Sequence, residues 1–549
     1  MKVPPGVSAK DFAEALKQFE EAVGKEWVFT SDEDVALYRD AYSPFFGEPE
    51  ERVASAAVAP DSVEQVQKVV KIANAYKIPI YPVSTGKNLG YGGSAPAYSG
   101  SVVLDLKRMN RILEVNEKSA YALVEPGVSY FDLYRYIQEK GLKLWIDVPD
   151  PGWGSPIGNS LDRGGGYLMA QFRNHFDSHC GMEVVLANGE IIRTGMGAMP
   201  GAKTWQEYKS GFGPWVDGIF SQSNFGVVTK MGFWLMPEPD AYLSGTVMVP
   251  RHDDLIPLVD ILNYIENTRV TNGMPDLGST LLGIPMISEI DLWNSGGGPA
   301  PDQELAALLA KPGAEASPEV QDYALRKGIS FWNCKLSFYG PPKANEANWE
   351  FAKEKFSVIP GVKFVQNESY KLPLTAEQRE KVHKPQFGIP SLVMFSIGAR
   401  TPVNPNPTNG HIWFSPIIPR TGEAIFEANR VFAEAAKEFG LPILSFSLPS
   451  CYWERAFIYI FAFPVTHDVE TNKKNRAAFQ KLVQRASEHG WGEYRTAPAF
   501  QDAIMNTYAY NNHSLLRFHE VLKDAVDPNG ILSAGRYGIW PKHLREKKA

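Results

Sequence analysis

A two-domain α+β fold is what this sequence predicts, on three observations. A strand-helix-strand unit opens near Val53, the texture changes after about residue 245 to long helices alternating with strands, and the last fifty residues return to glycine and proline punctuation in DPNGILSAGRYGIWP. A chain of 549 residues is too long for one simple core, so two domains, one interleaved with the other, are the expectation. The division read here is 1–245, 246–490 and 491–549. The last segment would close the first domain after a long insertion, a closure that composition alone leaves open.

The elements follow in order. MKVPPGVSAKDFAEALKQFEEAVG reads as a short lead and an amphipathic helix, without the apolar stretch of a secretion signal. VASAAVAP is a strand. DSVEQVQKVVKIANAYK is a helix because Val63, Val66, Val70 and Ala73 recur at helical spacing behind a cap at Asp61 or Ser62. IPIYPVS and SGSVVLDL complete the βαβ unit around a glycine-rich turn. After two short strands, RILEVN and AYALVEPG, the helix near SYFDLYRYIQEKG begins at Ser129, with Asp132 at capping-box spacing. GMEVVLANGEIIRTG is a hairpin on an Asn188-Gly189 turn, and an apolar strand in SQSNFGVVTKMGFWLMPEP ends the first half. Beyond it DDLIPLVDILNYIENTR, GEAIFEANRVFAEAAKEFG and NKKNRAAFQKLVQRASEHG are helices, KLSFYG and AFIYIFAFPV strands. The stretch from about 293 to 318 reads as a surface excursion. Helices with antiparallel strands make the second domain α+β.

Composition narrows the function classes. Hydrophobic residues at 44%, charged residues at 21% and 13 tryptophans describe a soluble globular chain with material for buried pockets. A net charge of −7 with both signs mixed argues against nucleic acid, which needs a clustered basic face. No run approaches the roughly 20 apolar residues of a membrane span. Cys180, Cys334 and Cys451 are far apart and form no CxxC pair, so a reducing cytoplasm fits better than a disulfide framework.

Five stretches can carry chemistry. In PVSTGKNLGYGGSAP a strand ends and Gly86, Gly90, Gly92 and Gly93 follow within eight residues. Such glycines let backbone N–H groups approach a phosphate, although the order is neither GxGxxG nor a Walker motif, and a plain surface loop stays open. A second glycine-rich stretch, DVPDPGWGSPIGNSLDRGGGY, carries Asp147 and Asp150; two such segments together favour a large phosphate-bearing cofactor. NHFDSHC sets His175 and His179 at i, i+4, a spacing that a metal could use on a helix, but HExxH and a third ligand are missing, so hydrogen-bonded structural histidines are preferred. WGEYRT puts Tyr494 beside Arg495, and both can face one ligand only where the backbone is irregular. Finally, NPNPTNGHIWFSPI passes from an Asn409-Gly410 turn signal into a strand on which His411, Trp413 and Ser415 share a face. A half-buried structural histidine is the plain reading of His411.

Taken together these stretches resemble the vanillyl-alcohol oxidase and 4-cresol dehydrogenase family of flavoproteins, in particular its bacterial eugenol-oxidase-like members. GKNLGYGGSAP, LWIDVPDPGWGSPIGN, GMEVVLANGEIIRTGMGA, FGPWVDGIFSQSNFGVVTKMGFWLMPEP, NGHIWFSPI, WGEYRT and DPNGILSAGRYGIWP look like family signatures in the family's order, across nearly the whole chain. The resemblance implies a two-domain FAD-linked oxidase fold, an FAD-binding domain with an α+β cap. It implies that Ser84, Thr85, Gly86, Lys87, Asn88 and Leu89 line the pyrophosphate, and that Gly158, Asn159, Ser223, Gly226 and Val228 help to hold the rest of FAD. By the same resemblance His411 is the covalent anchor on the flavin 8α-methyl carbon. The dehydrogenase branch uses tyrosine there, which tilts the reading toward the oxidases. A histidine that assists this bond in the fungal prototype has no counterpart in AYSPFFGEPE, so the route of flavinylation departs from the family pattern.

For the reaction, the resemblance implies that Tyr91, Tyr494 and Arg495 bind the substrate as its phenolate, that Asp150 serves acid-base chemistry beside flavin N5, and that Trp413 shapes the substrate pocket. Asp147 is read as structural. The implied activity is FAD-dependent oxidation of para-substituted phenols through a para-quinone methide, with dioxygen reduced to hydrogen peroxide, in an enzyme that forms dimers or larger assemblies. A dehydrogenase or hydroxylase of the same fold, passing electrons to a cytochrome or copper protein, is the alternative enzyme. A non-catalytic phenol- or flavin-binding module is the alternative of another class. No metal, nucleic-acid or membrane partner is expected.

Overall fold

The computed structural model describes residues 2–149, 151–279, 281, 303–309, 313–392, 409–441, 451–453 and 455–545. It is an α+β structure. The amphipathic helix Ala9–Val23 starts on Ser8, whose side chain accepts the Asp11 N–H, and buries Phe12, Leu16 and Phe19. Those residues pack on Val66, Val69, Val70 and Ala73 of helix Val63–Ala75 and on strands Ala56–Val58, Ile80–Val83 and Val102–Asp105. These three strands run parallel with Val102–Asp105 in the middle, as a βαβ crossover followed by a return strand requires; Val28–Phe29 adds an antiparallel edge.

A second, antiparallel sheet orders Ile112–Asn116, Tyr121–Val124, Val227–Trp234, His179–Val185 and Ile191–Arg193. Its hairpin turns on Gly189, whose φ of +81° suits glycine. Helix Tyr130–Glu139 packs on this sheet and opens with a full capping box: Ser129 Oγ accepts the Asp132 N–H, and Asp132 accepts the Ser129 N–H.

The remainder is built on a four-stranded antiparallel sheet, Asp276–Gly278, Trp332–Gly340, Ala241–Val249 and Lys363–Lys371. Strand Ala241–Val249 pairs along its whole length with Trp332–Gly340, so the sheet spans the division expected at 245. Helices Leu255–Asn267, Pro342–Phe356, Gly422–Lys437 and Val469–Glu488 share one core with it, and Trp491, Ala497, Phe500 and Ile504 belong to that core too. The chain therefore leaves this body later than position 490.

Three local readings change. Asn409 and Gly410 form no turn: they begin strand Asn409–Phe414, which pairs with Phe461–Thr466. Gly410 is required by packing, because a Cβ there would lie 2.1 Å from the Tyr42 ring. AFIYIFAFPV is two strands in two sheets, Ala456–Ile458 and Phe461–Thr466. Within the expected surface excursion, 293–302 and 310–312 lie outside the described residues, but 303–308 is helical and its Leu305 is buried in the core.

The C-terminal segment returns to the first sheet. Ile80 donates its N–H to the Ile531 carbonyl at 2.7 Å and accepts that of Ser533 at 2.8 Å. Fully buried Lys523 holds this return: its ammonium donates to the carbonyls of Asn224 (2.8 Å) and Leu532 (2.6 Å) and to Asp527 Oδ2 (2.7 Å). Asp527 in turn accepts the N–H groups of Ile531 and Leu532. Removing the ammonium strands a buried carboxylate. Lys523→Met is expected to cost about 3 kcal/mol or more, read as a lower urea midpoint of unfolding; an unchanged midpoint would show that this clamp does not hold the return.

Candidate active site

The glycine-rich loop leaves strand Ile80–Val83 at its carboxyl end and turns on Gly86, with φ +66° and Ser94 Oγ only 2.1 Å from where a Cβ would be. Among the described residues, no acceptor takes the backbone N–H groups of Thr85, Gly86, Lys87 or Asn88. Helix Pro156–Leu161 packs against this loop so closely that a Cβ on Gly158 would lie 2.3 Å from Ser84 Oγ. Asn159 on the same helix accepts at Oδ1 from His175 Nδ1, 2.5 Å away. The Leu161 carbonyl takes the Gln222 N–H, which brings the segment with Ser223 and Gly226 alongside; Val228 lies in strand Val227–Trp234 with its side chain in the core. The Lys87 ammonium sits 5.0 Å from the Trp153 ring centroid. Leu89 begins the next short turn.

Tyr91 stands between two glycines, and both are needed. A Cβ on Gly90 would lie 2.2 Å from Trp413 Nε1 and 3.0 Å from His411 Nε2, and one on Gly92 (φ +106°) would lie 2.4 Å from Pro498 Cδ. The loop is thereby wedged between strand Asn409–Phe414 and the segment after Trp491. His411 and Trp413 do share a face, with ring centroids 4.5 Å apart, while Ile412 and Phe414 enter the core. Tyr42, from the AYSPFFGEPE stretch, sits 5.4 Å from the His411 ring, and burial pushes its hydroxyl up to about 12.

The structure brings Tyr91, Tyr494 and Arg495 together. The Tyr91 hydroxyl is 3.3 Å from that of Tyr494 and 2.8 Å from Ser415 Oγ, and the Arg495 guanidinium carbon lies 3.8 Å from the centroid of the Tyr91 ring. Tyr494 lies in a bend between the Glu493 bridge to Pro416 and Arg495, which is the irregularity two adjacent side chains need to face one point. The Arg495 side chain is only 11% exposed, and its Nε and Nη1 are buried with no hydrogen-bond acceptor among the described residues. Burial opposes its charge, but Tyr494, Tyr91 and Asp162 outweigh that and hold its pKa above the ordinary arginine value. Burial also raises Tyr91 above an ordinary tyrosine, against the opposite pull of Arg495, so it faces the site as a neutral donor.

Asp162 is the residue that motif reading missed. Its Oδ2 accepts from Asn88 Nδ2 at 2.7 Å and lies 3.8 Å from Arg495 Nη1; its Oδ1 accepts from Arg536 Nη2 at 2.9 Å and from the Tyr537 hydroxyl. Ser415 was visible only as a neighbour of His411 on the strand, and Glu493 not at all. Glu493 accepts the Ser415 N–H at 2.8 Å, and burial drives its carboxyl well above the usual range. His175 and His179 have separate partners, Asn159 with Tyr130 for the first and Asp217 for the second. Among the described residues no three ligand-type side chains gather to hold a metal. Asp147 accepts the N–H groups of Tyr167 and Leu168. Asp150 lies outside the described residues.

A family model described as an FAD binding domain matches residues 54–195. The chain is 33% identical over 538 residues to the flavoprotein subunit of 4-cresol dehydrogenase (hydroxylating) from Pseudomonas putida, covering 98% of this chain and 97% of that one. Among solved structures it superposes on 4-ethylphenol oxidase from Gulosibacter chungangensis in complex with isoeugenol, with a TM-score of 0.82, 34% identity and coverage of 99% and 100%. It also superposes on p-cresol methylhydroxylase with substrate bound, with a TM-score of 0.81, 31% identity and coverage of 98% and 99%.

If the wedge around Tyr91 is as tight as these distances say, Gly90→Ala should lower thermal stability by about 1–3 kcal/mol through overpacking. Trp413→Ala in the same chain should recover most of that loss. Additive losses in the double variant would show that Gly90 and Trp413 do not press on each other.

Proposed function

This chain belongs to the vanillyl-alcohol oxidase and 4-cresol dehydrogenase family of FAD flavoproteins and is a flavin-dependent oxidoreductase, and from that premise we propose that it oxidises para-substituted phenols of the vanillyl alcohol, eugenol or 4-alkylphenol type, with dioxygen as final acceptor. The observation that carries this is the convergence of Tyr91, Tyr494 and a buried Arg495 with two unclaimed donor atoms. The residues also fit FAD: four unclaimed amides in the glycine-rich loop suit a pyrophosphate, and His411 stands against the end of that same loop.

The chain's own work begins with the substrate hydroxyl. Ionising a phenol of pKa about 10 near neutral pH requires roughly 3–4 kcal/mol. One guanidinium and two tyrosine hydroxyls, at about 1.5–3 kcal/mol per hydrogen bond to a charged group, supply it. The phenolate oxygen then sends electron density through the ring to the para carbon, so the benzylic C–H bond releases hydride and the substrate becomes a para-quinone methide. FAD, when bound, would supply the hydride acceptor and the two-electron route to dioxygen that yields hydrogen peroxide. Asp150 takes or returns the proton as water adds to the quinone methide. Trp413 bounds the pocket on the side of His411.

His411 is proposed as the covalent tether of FAD, with Tyr42 rather than a second histidine beside it. Ser84 to Leu89, with Gly158, Asn159, Ser223, Gly226 and Val228, would hold the remainder. The FAD-binding domain comprises the first 240 or so residues and the C-terminal return, and the cap lies between them. The buried free thiols Cys180 and Cys334 support a cytoplasmic setting, no helix among the described residues is long and apolar enough to cross a membrane, and a homodimer or larger homo-oligomer is the assembly proposed. Transfer of electrons to a protein acceptor is the second reading, favoured by the name of the Pseudomonas putida relative.

Three measurements check these assignments. Holoenzyme mixed with vanillyl alcohol or eugenol in an oxygen electrode should consume oxygen; rapid dye reduction without oxygen uptake would establish the second reading. Arg495→Met should lose at least about a hundredfold in kcat/KM, as expected for deleting one preorganised charge partner, while FAD stays bound. His411→Ala should release its flavin on acid precipitation, and flavin retained in the pellet would exclude His411 as tether.

A further inference from the structure

Behind the three phenol-facing side chains, Arg495 joins a charge cluster whose other members, Asp162 and Arg536, the reaction itself does not call on. Arg495 and Arg536 contribute two positive charges and Asp162 one negative charge. Three of the carboxylate's hydrogen-bonding positions are taken, Oδ2 by Asn88 and Oδ1 by Arg536 and Tyr537, groups from the glycine-rich loop and the C-terminal return. Asp162 therefore stands 3.8 Å from Arg495 without capping its Nε and Nη1. A carboxylate that bonded Arg495 directly would compete with the substrate for those donors, whereas one held back only reduces the field around them.

We propose that Asp162, clamped by Arg536, Tyr537 and Asn88, offsets part of the positive charge that Arg495 and Arg536 bring to the phenol niche, and so sets how strongly the niche favours an ionised phenol over a neutral one. This rests on the reading of Tyr91, Tyr494 and Arg495 as the phenolate site and adds the residue that tunes it. Asp162 acts through Arg495 and is a positioning residue. With two uncompensated guanidinium charges the niche would favour any small anion, and with none it would hold neutral phenols and alcohols as well. The ionisable groups acting on Arg495 are Tyr494, Tyr91, Asp162 and Tyr537. Arg495 in turn acts on Tyr130, and Arg536 acts on Tyr81 and Tyr537. Behind Arg536, Arg52 faces Asp40, a pair of opposite sign. None of the tyrosines carries charge near neutral pH, and among the described residues Asp162 is the carboxylate at ion-pair distance from Arg495.

The test uses FAD-loaded enzyme and 4-hydroxybenzaldehyde, whose phenol and phenolate have separate near-ultraviolet bands, titrated with pH while bound. In the unaltered enzyme the bound ligand should ionise at lower pH than the free ligand; if it does not, the phenolate site itself is misread and the proposal falls with it. Given that shift, Asp162→Asn should move the midpoint further down by about one pH unit, a tenfold gain in phenolate affinity at fixed pH. Arg536→Gln should move it up by a similar amount. A merely structural role would weaken binding in both variants and leave the midpoint where it was, and that result overturns the proposal. Should Asp162→Asn fail to load FAD, Arg536→Gln decides alone, by whether its midpoint rises or stays.

Discussion

A guanidinium buried beside two phenol hydroxyls, with donors that no described residue accepts, is the constraint on which the rest of this structure depends. Taking a charge out of water costs several kcal/mol unless the surroundings repay it. Here Asp162 and the facing tyrosine oxygens outweigh that cost, yet Nε and Nη1 keep no acceptor among the described residues. Arg495 is therefore held by geometry: its ring contact with Tyr91, the bend at Tyr494, and the antiparallel contact of that segment with Ser415 and Pro416. A site built this way is strained toward an anion before any anion arrives, which is what electrostatic preorganisation means in structural terms.

The same constraint explains why the chain is threaded as it is. Tyr91 follows the βαβ unit, Asp162 ends a short helix, His411 lies in a strand of the second body and Ser415 just after it, Tyr494 and Arg495 follow its last long helix, and Arg536 arrives with the C-terminal return. Five remote segments must meet at one point. The parallel sheet presents the glycine-rich loop at the carboxyl end of its strand, where α/β sheets characteristically open to ligands. Lys523 and Asp527 then anchor the return that carries Arg536 and Tyr537. Gln222, which donates to the Tyr494 carbonyl, ties the trio to the segment beside helix Pro156–Leu161.

How much of this was legible in the sequence follows from the range of the interactions. The helix Val63–Ala75, the capping box at Ser129 and Asp132, and the hairpin on Gly189 are specified by residues within a few positions of one another, and they fold as read, except that Ser62 stands at the start of the helix without a side-chain capping bond. Asn409-Gly410 carries a local turn signal but sits in a strand, because the glycine answers to the Tyr42 ring far away in sequence. AFIYIFAFPV is one apolar run and two strands, since neither periodicity nor propensity says that the chain changes sheets. The convergence of Tyr91 with Tyr494 and Arg495 was accessible only through a family resemblance. Asp162 was not accessible at all, for an aspartate before Arg-Gly-Gly-Gly reads as an ordinary turn former until Arg495, Arg536 and Asn88 are seen around it.

The central claim is that the hydroxyl of the substrate, and not its ring alone, is what this pocket recognises, and that it is recognised as an anion. Equilibrium binding of one para-substituted phenol and of its O-methyl ether to the oxidised holoenzyme tests this most directly. The account predicts that methylation, which leaves shape and ring nearly unchanged but forbids ionisation, weakens binding by at least about a hundredfold, the worth of a charge-assisted contact to Arg495. Equal affinity for the two ligands would contradict it.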